Sequence, residues 1–324
     1  MFGAKKILIS GVKPTGRPHI GNYLGAMKRF VDLQNDYQAM IFIADYHALT
    51  TERDAKKLRE ETLDIAIDYL AIGLDPKKTT IFRQSDVAEV TELAWIFNCI
   101  TTMPYLSRAH AYKDAIVKNK EVNVGIFDYP LLMAADILIQ DADVVPVGQD
   151  QKQHVEIARD TAEKFNLIYG ETFKLPEPLI DDSVATIPGI DGRKMSKSYN
   201  NTIPLFASDE EIKKAVMSIV TDSKEVDEPK ETKNDTLFSY HLLFSKQQLP
   251  ELEKRYHNGG IGYKESKEIL IENMKSFIAP LREKKELLKQ DTQKVLAVLN
   301  NGGEKARECA KNNMSKVRKI IGLI

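Results

Sequence analysis

Apolar residues follow two rhythms along this chain, and the change between them falls near residue 205. In the first part, short apolar runs alternate with helical spacing. Ile7-Leu8-Ile9, Ala39–Ala44, Thr79–Phe82 and Val144–Val147 predict buried strands. Between them, apolar positions recur at i, i+3 and i+4. Met27, Phe30 and Val31 mark one helix; Leu58, Ile65, Ala66, Tyr69 and Leu70 mark a second. Gly73 and Pro76 close the second. Leu93, Ile96, Phe97 and Ile100 mark a third, Asp128–Ile139 an unusually apolar fourth, and Val155, Ala158, Ala162 and Phe165 a fifth. Such alternation predicts an α/β fold: a Rossmann-like parallel sheet with helices on both faces. The charged, irregular stretch Lys113–Val124 reads as the heart of an excursion spanning roughly 100–128.

Beyond Ser198 the strand signal fades. Helices are predicted over Asp209–Val220, Thr236–Phe244, Gly262–Phe277, Pro280–Leu299 and Glu304–Ile320. Ser208 with Glu211 has capping-box spacing. The charged stretch Ser223–Asp235, with Pro229, reads as a surface connection. A catalytic-type α/β domain over 1–205 and an all-helical C-terminal domain over 206–324 are therefore expected.

The first strand runs into Gly11-Val12-Lys13-Pro14-Thr15-Gly16-Arg17-Pro18-His19-Ile20-Gly21-Asn22. Its glycines and prolines suit a turn between strand and helix. Asn22 is placed to cap that helix. A strand-to-helix turn aims backbone N–H groups and a helix N-terminus at one spot, which favours an anion. His19 beside Gly21 points to a nucleotide phosphate; neither Walker A nor dinucleotide-fold glycine spacing is present. Ligands of such sheets bind past the carboxyl ends of the strands, where His19, His47 and Asp150 fall.

Charge refines this picture. The chain carries a net charge of −1, but from Lys246 onward 17 Lys+Arg face 10 Asp+Glu. A basic C-terminal part suits a phosphate backbone, and equally a solvated lysine-rich face. No apolar run approaches the ~18 residues of a membrane span, and the short run after Lys5 and Lys6 is not expected to be a secretory signal. The two cysteines, Cys99 and Cys309, cannot build a four-cysteine metal site, and they suit a reducing, cytoplasmic setting.

One further loop carries chemistry. Asp191-Gly192-Arg193-Lys194-Met195-Ser196-Lys197-Ser198 sets three cations and two hydroxyls on what reads as a mobile loop, suited to a developing pyrophosphate charge. Pro18-His19-Ile20-Gly21-Asn22 resembles the HIGH motif of class I aminoacyl-tRNA synthetases, with asparagine in the last position, and Lys194–Ser198 matches KMSKS without departure. Tyr129–Leu138, Val145–His154 and Gly11–Ala26 further resemble tryptophanyl-tRNA synthetases. From the residues alone, Asp136 inside so apolar a helix needs a donor: an indole N–H, a backbone group or a lysine.

The resemblance implies that Asp136 accepts from the indole, while Tyr129 and Gln151 meet the amino and carboxylate groups of L-tryptophan. Met133 beside Asp136 makes a flat apolar slot, and His47 is read as flanking the indole or ATP, or equally as a satisfied polar residue in the wall. It implies that Lys13, Pro14, Thr15, Gly21, Asn22, Gly148, Gln149 and Asp150 surround ATP, and that Lys194, Met195, Ser196, Lys197 and Ser198 close over pyrophosphate. His19, Lys194 and Lys197 would stabilise charge in the reaction. Mg²⁺ is expected on the ATP phosphates, with no metal ligand among the protein side chains. tRNA(Trp), bound by the helical domain, and a homodimer are the implied partners; neither DNA nor a membrane is expected. Lys13 and Gln149 depart from the glutamine and glutamate common in that family. The competing readings are a tyrosyl-tRNA synthetase, a small nucleotidyltransferase and a non-catalytic, RNA-binding paralogue.

Overall fold

The computed structural model describes residues 5–117, 122–180 and 187–324. Five parallel strands form one sheet: β1 (Ile7–Val12), β2 (Gln38–Ile43), β3 (Thr79–Arg83), β4 (Val144–Pro146) and β5 (Glu177–Leu179). Their order is β3-β2-β1-β4-β5, with Ile7 opposite Gln38, Ala39 opposite Thr79 and Leu8 opposite Val144. The chain builds outward from β1 to β3 and then returns to the other side of β1. The switch point therefore lies between β1 and β4, where crevices form beyond the strand ends. Parallel strands are covered on both faces, which accounts for their nearly unbroken apolar runs.

The helices are α1 (Ile20–Asn22), α2 (Lys28–Leu33), α3 (Asp45–Ala48), α4 (Ala55–Ala71), α5 (Glu89–Ile100), α6 (Met103–Leu106), α7 (His110–Val117), α8 (Val124–Leu138) and α9 (Lys152–Tyr169). After β5 come α10 (Asp209–Met217), α11 (Thr236–Phe244), α12 (Leu249–Asn258), α13 (Tyr263–Gln290) and α14 (Thr292–Ile320). A π-turn over Tyr23–Met27 joins α1 to α2. The stretch expected to be irregular is helical through Val117, and its residues 118–121 lie outside the described residues. Asn123 caps α8 by accepting from the backbone N–H of Ile126, which starts that helix four residues before Asp128.

Compactness groups the chain into two units: Met1–Gly16, Lys28–Ser183 and Asp291–Ile324 in the first; Arg17–Met27 and Val184–Gln290 in the second. A single cut near residue 205 does not reproduce this grouping. The last helix belongs with the sheet. Gly302 and Gly303 let it pass over β3, since a Cβ at Gly302 would lie 1.9 Å from the carbonyl oxygen of Ile81. That contact also explains why α14 runs unbroken through two glycines where an interruption was expected. Ala306, Ala310, Met314 and Val317 then enter the same core as Ile9, Phe42, Phe97 and Leu131.

In the second unit, α13 continues through Pro280, where a new helix was expected to begin. Leu270, Ile271, Met274 and Ile278 keep one stripe buried against α10 and α11, and this packing outweighs one lost backbone bond. Ser208 and Glu211 form the expected capping box on α10.

Candidate active site

The residues singled out by sequence divide between the two units, and the first motif itself is cut between Gly16 and Arg17. In the sheet unit, some of the functional residues stand just past strand ends and others lie on α8. Lys13 follows β1 and donates to Thr50 Oγ1 at 3.1 Å and Thr51 Oγ1 at 2.9 Å. Gly16, with φ of 76°, makes a turn that side chains resist. Gly148 and Gln149 are exposed beyond β4; Asp150 follows them in a 3₁₀ turn, its side chain outside the described set.

Asp136 is 4% exposed on α8. It meets two donors. Gln84 Nε2 lies 2.9 Å from Oδ1 and 2.8 Å from Oδ2, and His47 Nε2 lies 3.1 Å from Oδ2. The Gln84 amide oxygen in turn accepts from the His47 backbone N–H at 3.2 Å. That bond fixes which end of the amide faces the carboxylate. Burial pushes the Asp136 carboxyl above its ordinary range, while the donors from His47 and Gln84 pull the other way.

The ends of β2 and β3 are tied together beneath this group. Asp45 accepts from the Ser85 backbone N–H at 2.9 Å and from its hydroxyl. His47 touches Asp136, a contact that the sequence did not specify. Gln84 was not foreseen, because nothing in the sequence distinguishes it from any glutamine after a strand.

Tyr129 lies edge-on to His47, with ring centroids 5.9 Å apart, and its hydroxyl shares a hydrogen bond of 2.5 Å with His154 Nε2. Burial pushes the Tyr129 phenol up to about 12, so it stays neutral. Buried His154 is a second unforeseen contact. Met133 packs half-buried against the main core, and Gln151 is exposed. A cavity of about 340 Å³ borders Tyr129 and Asp128 but not Asp136.

The second unit holds the other set. His19, not Asn22, is the N-cap of α1: its Nδ1 accepts from the Asn22 backbone N–H at 3.2 Å, and the Asn22 side chain accepts from the His19 backbone N–H at 3.1 Å. With Nδ1 accepting, the proton sits on Nε2. Burial, then the nearby Lys197 cation, lower the His19 pKa to about 4. His19 is therefore a neutral donor, as its place before the positive end of a helix also favours. Gly21 makes room for protein as much as for ligand, since a Cβ there would lie 3.0 Å from His19 Nδ1 and 3.3 Å from Met195 Sδ.

The segment is sewn to the rest of its unit by backbone bonds from Ile20 to Ile203 and from Leu205 to Pro18. The KMSKS-like loop is built on two anchors. Met195 is buried in a core with Ile20 and Ile203. Asn201, 2% exposed, accepts from the Ser196 backbone N–H at 2.8 Å and donates to Asp191 and to the Lys194 carbonyl. Gly189 leaves space for it, because a Cβ there would lie 2.2 Å from Asn201 Nδ2. Ser196 caps the short turn Lys197–Tyr199. Lys194, Lys197 and Ser198 stay exposed on this scaffold. Among the described residues, no group of three or more His, Cys, Asp or Glu is arranged to hold a metal ion.

The family model for class I tRNA synthetases (W and Y) matches residues 3–279. A tryptophan–tRNA ligase of Fusobacterium nucleatum is 51% identical over 98% of this chain and 98% of its own. One from Rhodopirellula baltica is 46% identical over 98% and 99%. The crystal structure of tryptophanyl-tRNA synthetase from Campylobacter jejuni complexed with ADP and tryptophan superposes with a TM-score of 0.92, at 45% identity, covering 98% of this chain and 99% of that one.

Proposed function

The chain belongs to the class I tRNA synthetases for tryptophan and tyrosine and acts as a tryptophan–tRNA ligase of bacterial type, and from that premise we propose how its residues divide the work. Tryptophan and ATP are its substrates. In the first step a tryptophan carboxylate oxygen attacks the α-phosphorus of ATP. The bond to the bridging oxygen of the β-phosphate breaks, and pyrophosphate leaves tryptophanyl-adenylate behind. In the second, the 2′-hydroxyl of the terminal adenosine of tRNA(Trp) attacks the acyl carbon and AMP leaves. No protein nucleophile is needed; alignment and charge stabilisation supply the rate.

Asp136 accepts from the indole N–H. The observation that carries this assignment is a buried carboxylate held by two fixed donors, with acceptor capacity left over. Tyr129 and Gln151 meet the amino and carboxylate groups, with Met133 and His47 in the wall. Lys13, Pro14, Thr15, Gly21, Asn22, Gly148, Gln149 and Asp150 bind ATP, which carries Mg²⁺ on its phosphates. His19 donates through Nε2 to the phosphates. Lys194 and Lys197 neutralise the pyrophosphate as it leaves, on a loop whose Met195, Ser196 and Ser198 shape its contact.

The helices from Ser208 onward, basic beyond Lys246, contact the tRNA anticodon arm. A homodimer is supported by exposed apolar residues on the sheet unit: Trp95 at 69%, Met103 at 67%, Val117 at 80% and Val124 at 79%. Sedimentation checks it, and a 36.6 kDa species alone would contradict it. No helix among the described residues is long and apolar enough to cross a membrane, and we place the enzyme in the cytoplasm, with its tRNA.

The test is exchange of labelled pyrophosphate into ATP without tRNA, offering each of the twenty amino acids. Exchange with tryptophan alone is expected. Comparable exchange with tyrosine would sink the pocket assignment.

A further inference from the structure

Gln84 is almost wholly buried, at 1% exposure, and a buried primary amide must place two donors and an acceptor. It stands first in the 3₁₀ turn Gln84–Asp86, immediately after β3. Its position is fixed from two sides. The neighbouring Ser85 is tied to Asp45, and its own amide oxygen takes the His47 backbone N–H. Only the NH₂ end is left to face Asp136, and it straddles both carboxylate oxygens at 2.9 and 2.8 Å.

The two oxygens are not equivalent. Oδ2 receives Gln84 and His47; Oδ1 receives Gln84 alone among the described residues. A carboxylate has roughly four acceptor sites, so Oδ1 keeps the greater free capacity. We propose that Asp136 Oδ1 is the oxygen that reads the indole N–H, and that Gln84 is the positioning residue that aims it. This rests on the assignment of Asp136 to the indole.

A glutamine that merely filled the core would affect folding but not the choice between substrates. An aiming glutamine acts on one atom of the substrate. Tryptophan and its benzothiophene isostere, in which sulfur replaces the indole N–H, separate the two roles. Pyrophosphate exchange is measured with both amino acids for the wild type, Gln84→Met and Gln84→Glu. Gln84→Met keeps length and removes the amide. Gln84→Glu keeps an acceptor for His47 and turns a second carboxylate toward Asp136.

The wild type is expected to prefer tryptophan strongly. In Gln84→Met, KM for tryptophan rises about 10- to 100-fold, the range for a buried hydrogen-bonding partner left unsatisfied. The kcat, the KM for ATP and the KM for the isostere stay within about threefold of wild type, so the preference shrinks. Gln84→Glu shows a larger loss with tryptophan. Undiminished preference in a folded Gln84→Met enzyme, or equal losses with both amino acids, would overturn the role of Gln84 while leaving Asp136 in place. No preference in the wild type would overturn the indole assignment itself. Thermal unfolding of each variant reports whether it is folded.

Discussion

The Asp136 pocket and the KMSKS-like loop answer the same problem, holding a charged group ready, in opposite ways. In the pocket the charge is buried and every group around it is fixed by another: Gln84 by His47, His47 by its place after β2, the strand ends by Asp45 and Ser85. In the loop the cations are exposed, and only their scaffold is fixed, by Met195 below and Asn201 behind. A low-dielectric pocket makes one hydrogen bond count heavily, because the alternative is an unpaired buried acceptor. Exposed lysines pay little desolvation and gain their full effect only when a polyanion arrives and water leaves. Recognition is thus assigned to the rigid region and transition-state charge to the accessible one. Losses in the pocket should appear in KM for tryptophan, and losses in the loop in kcat.

The largest effect expected from breaking the loop side is that of Lys197→Ala. Removing one group aimed at developing charge costs about 10²–10³ in kcat. KM for tryptophan should stay within about threefold, and steady-state pyrophosphate exchange measures both. A change confined to KM would erase the contrast. A smaller effect is expected from Asn201→Ala, which leaves the lysines in place and loosens what carries them. Here kcat should fall about 10-fold through misplacement of the loop. Thermal unfolding should record a loss of about 1–3 kcal/mol for the buried partners left unpaired. A variant with an intact kcat would mean that the anchor serves stability alone.

What was legible in the sequence follows the same division. The loop and the segment around His19 are local: spacing, charges and glycines are contiguous, so both could be read directly. The sheet was legible wherever a strand is an unbroken apolar run. β5 was missed because Glu177-Pro178-Leu179 is too short to form one. Asp136 was legible as a charge out of place in an apolar helix, but its partners were not. Gln84 comes from 52 positions away, and its only signal is that it follows a strand whose neighbour carries His47. The neutral state of His19 was hidden for a similar reason, since it depends on burial and on Lys197 far along the chain. The grouping of α14 with the sheet was masked by two glycines that read as a helix break and instead seat the helix on β3.

The central claim is that a buried carboxylate at Asp136 selects the amino acid by its indole N–H. Its most direct test is the ratio of kcat/KM for tryptophan to that for the benzothiophene isostere, compared between the wild type and Asp136→Ala. The account predicts a large ratio, about 10²-fold or more, for the wild type and a ratio near one for the variant. An Asp136→Ala enzyme that still prefers tryptophan by the wild-type factor would contradict it.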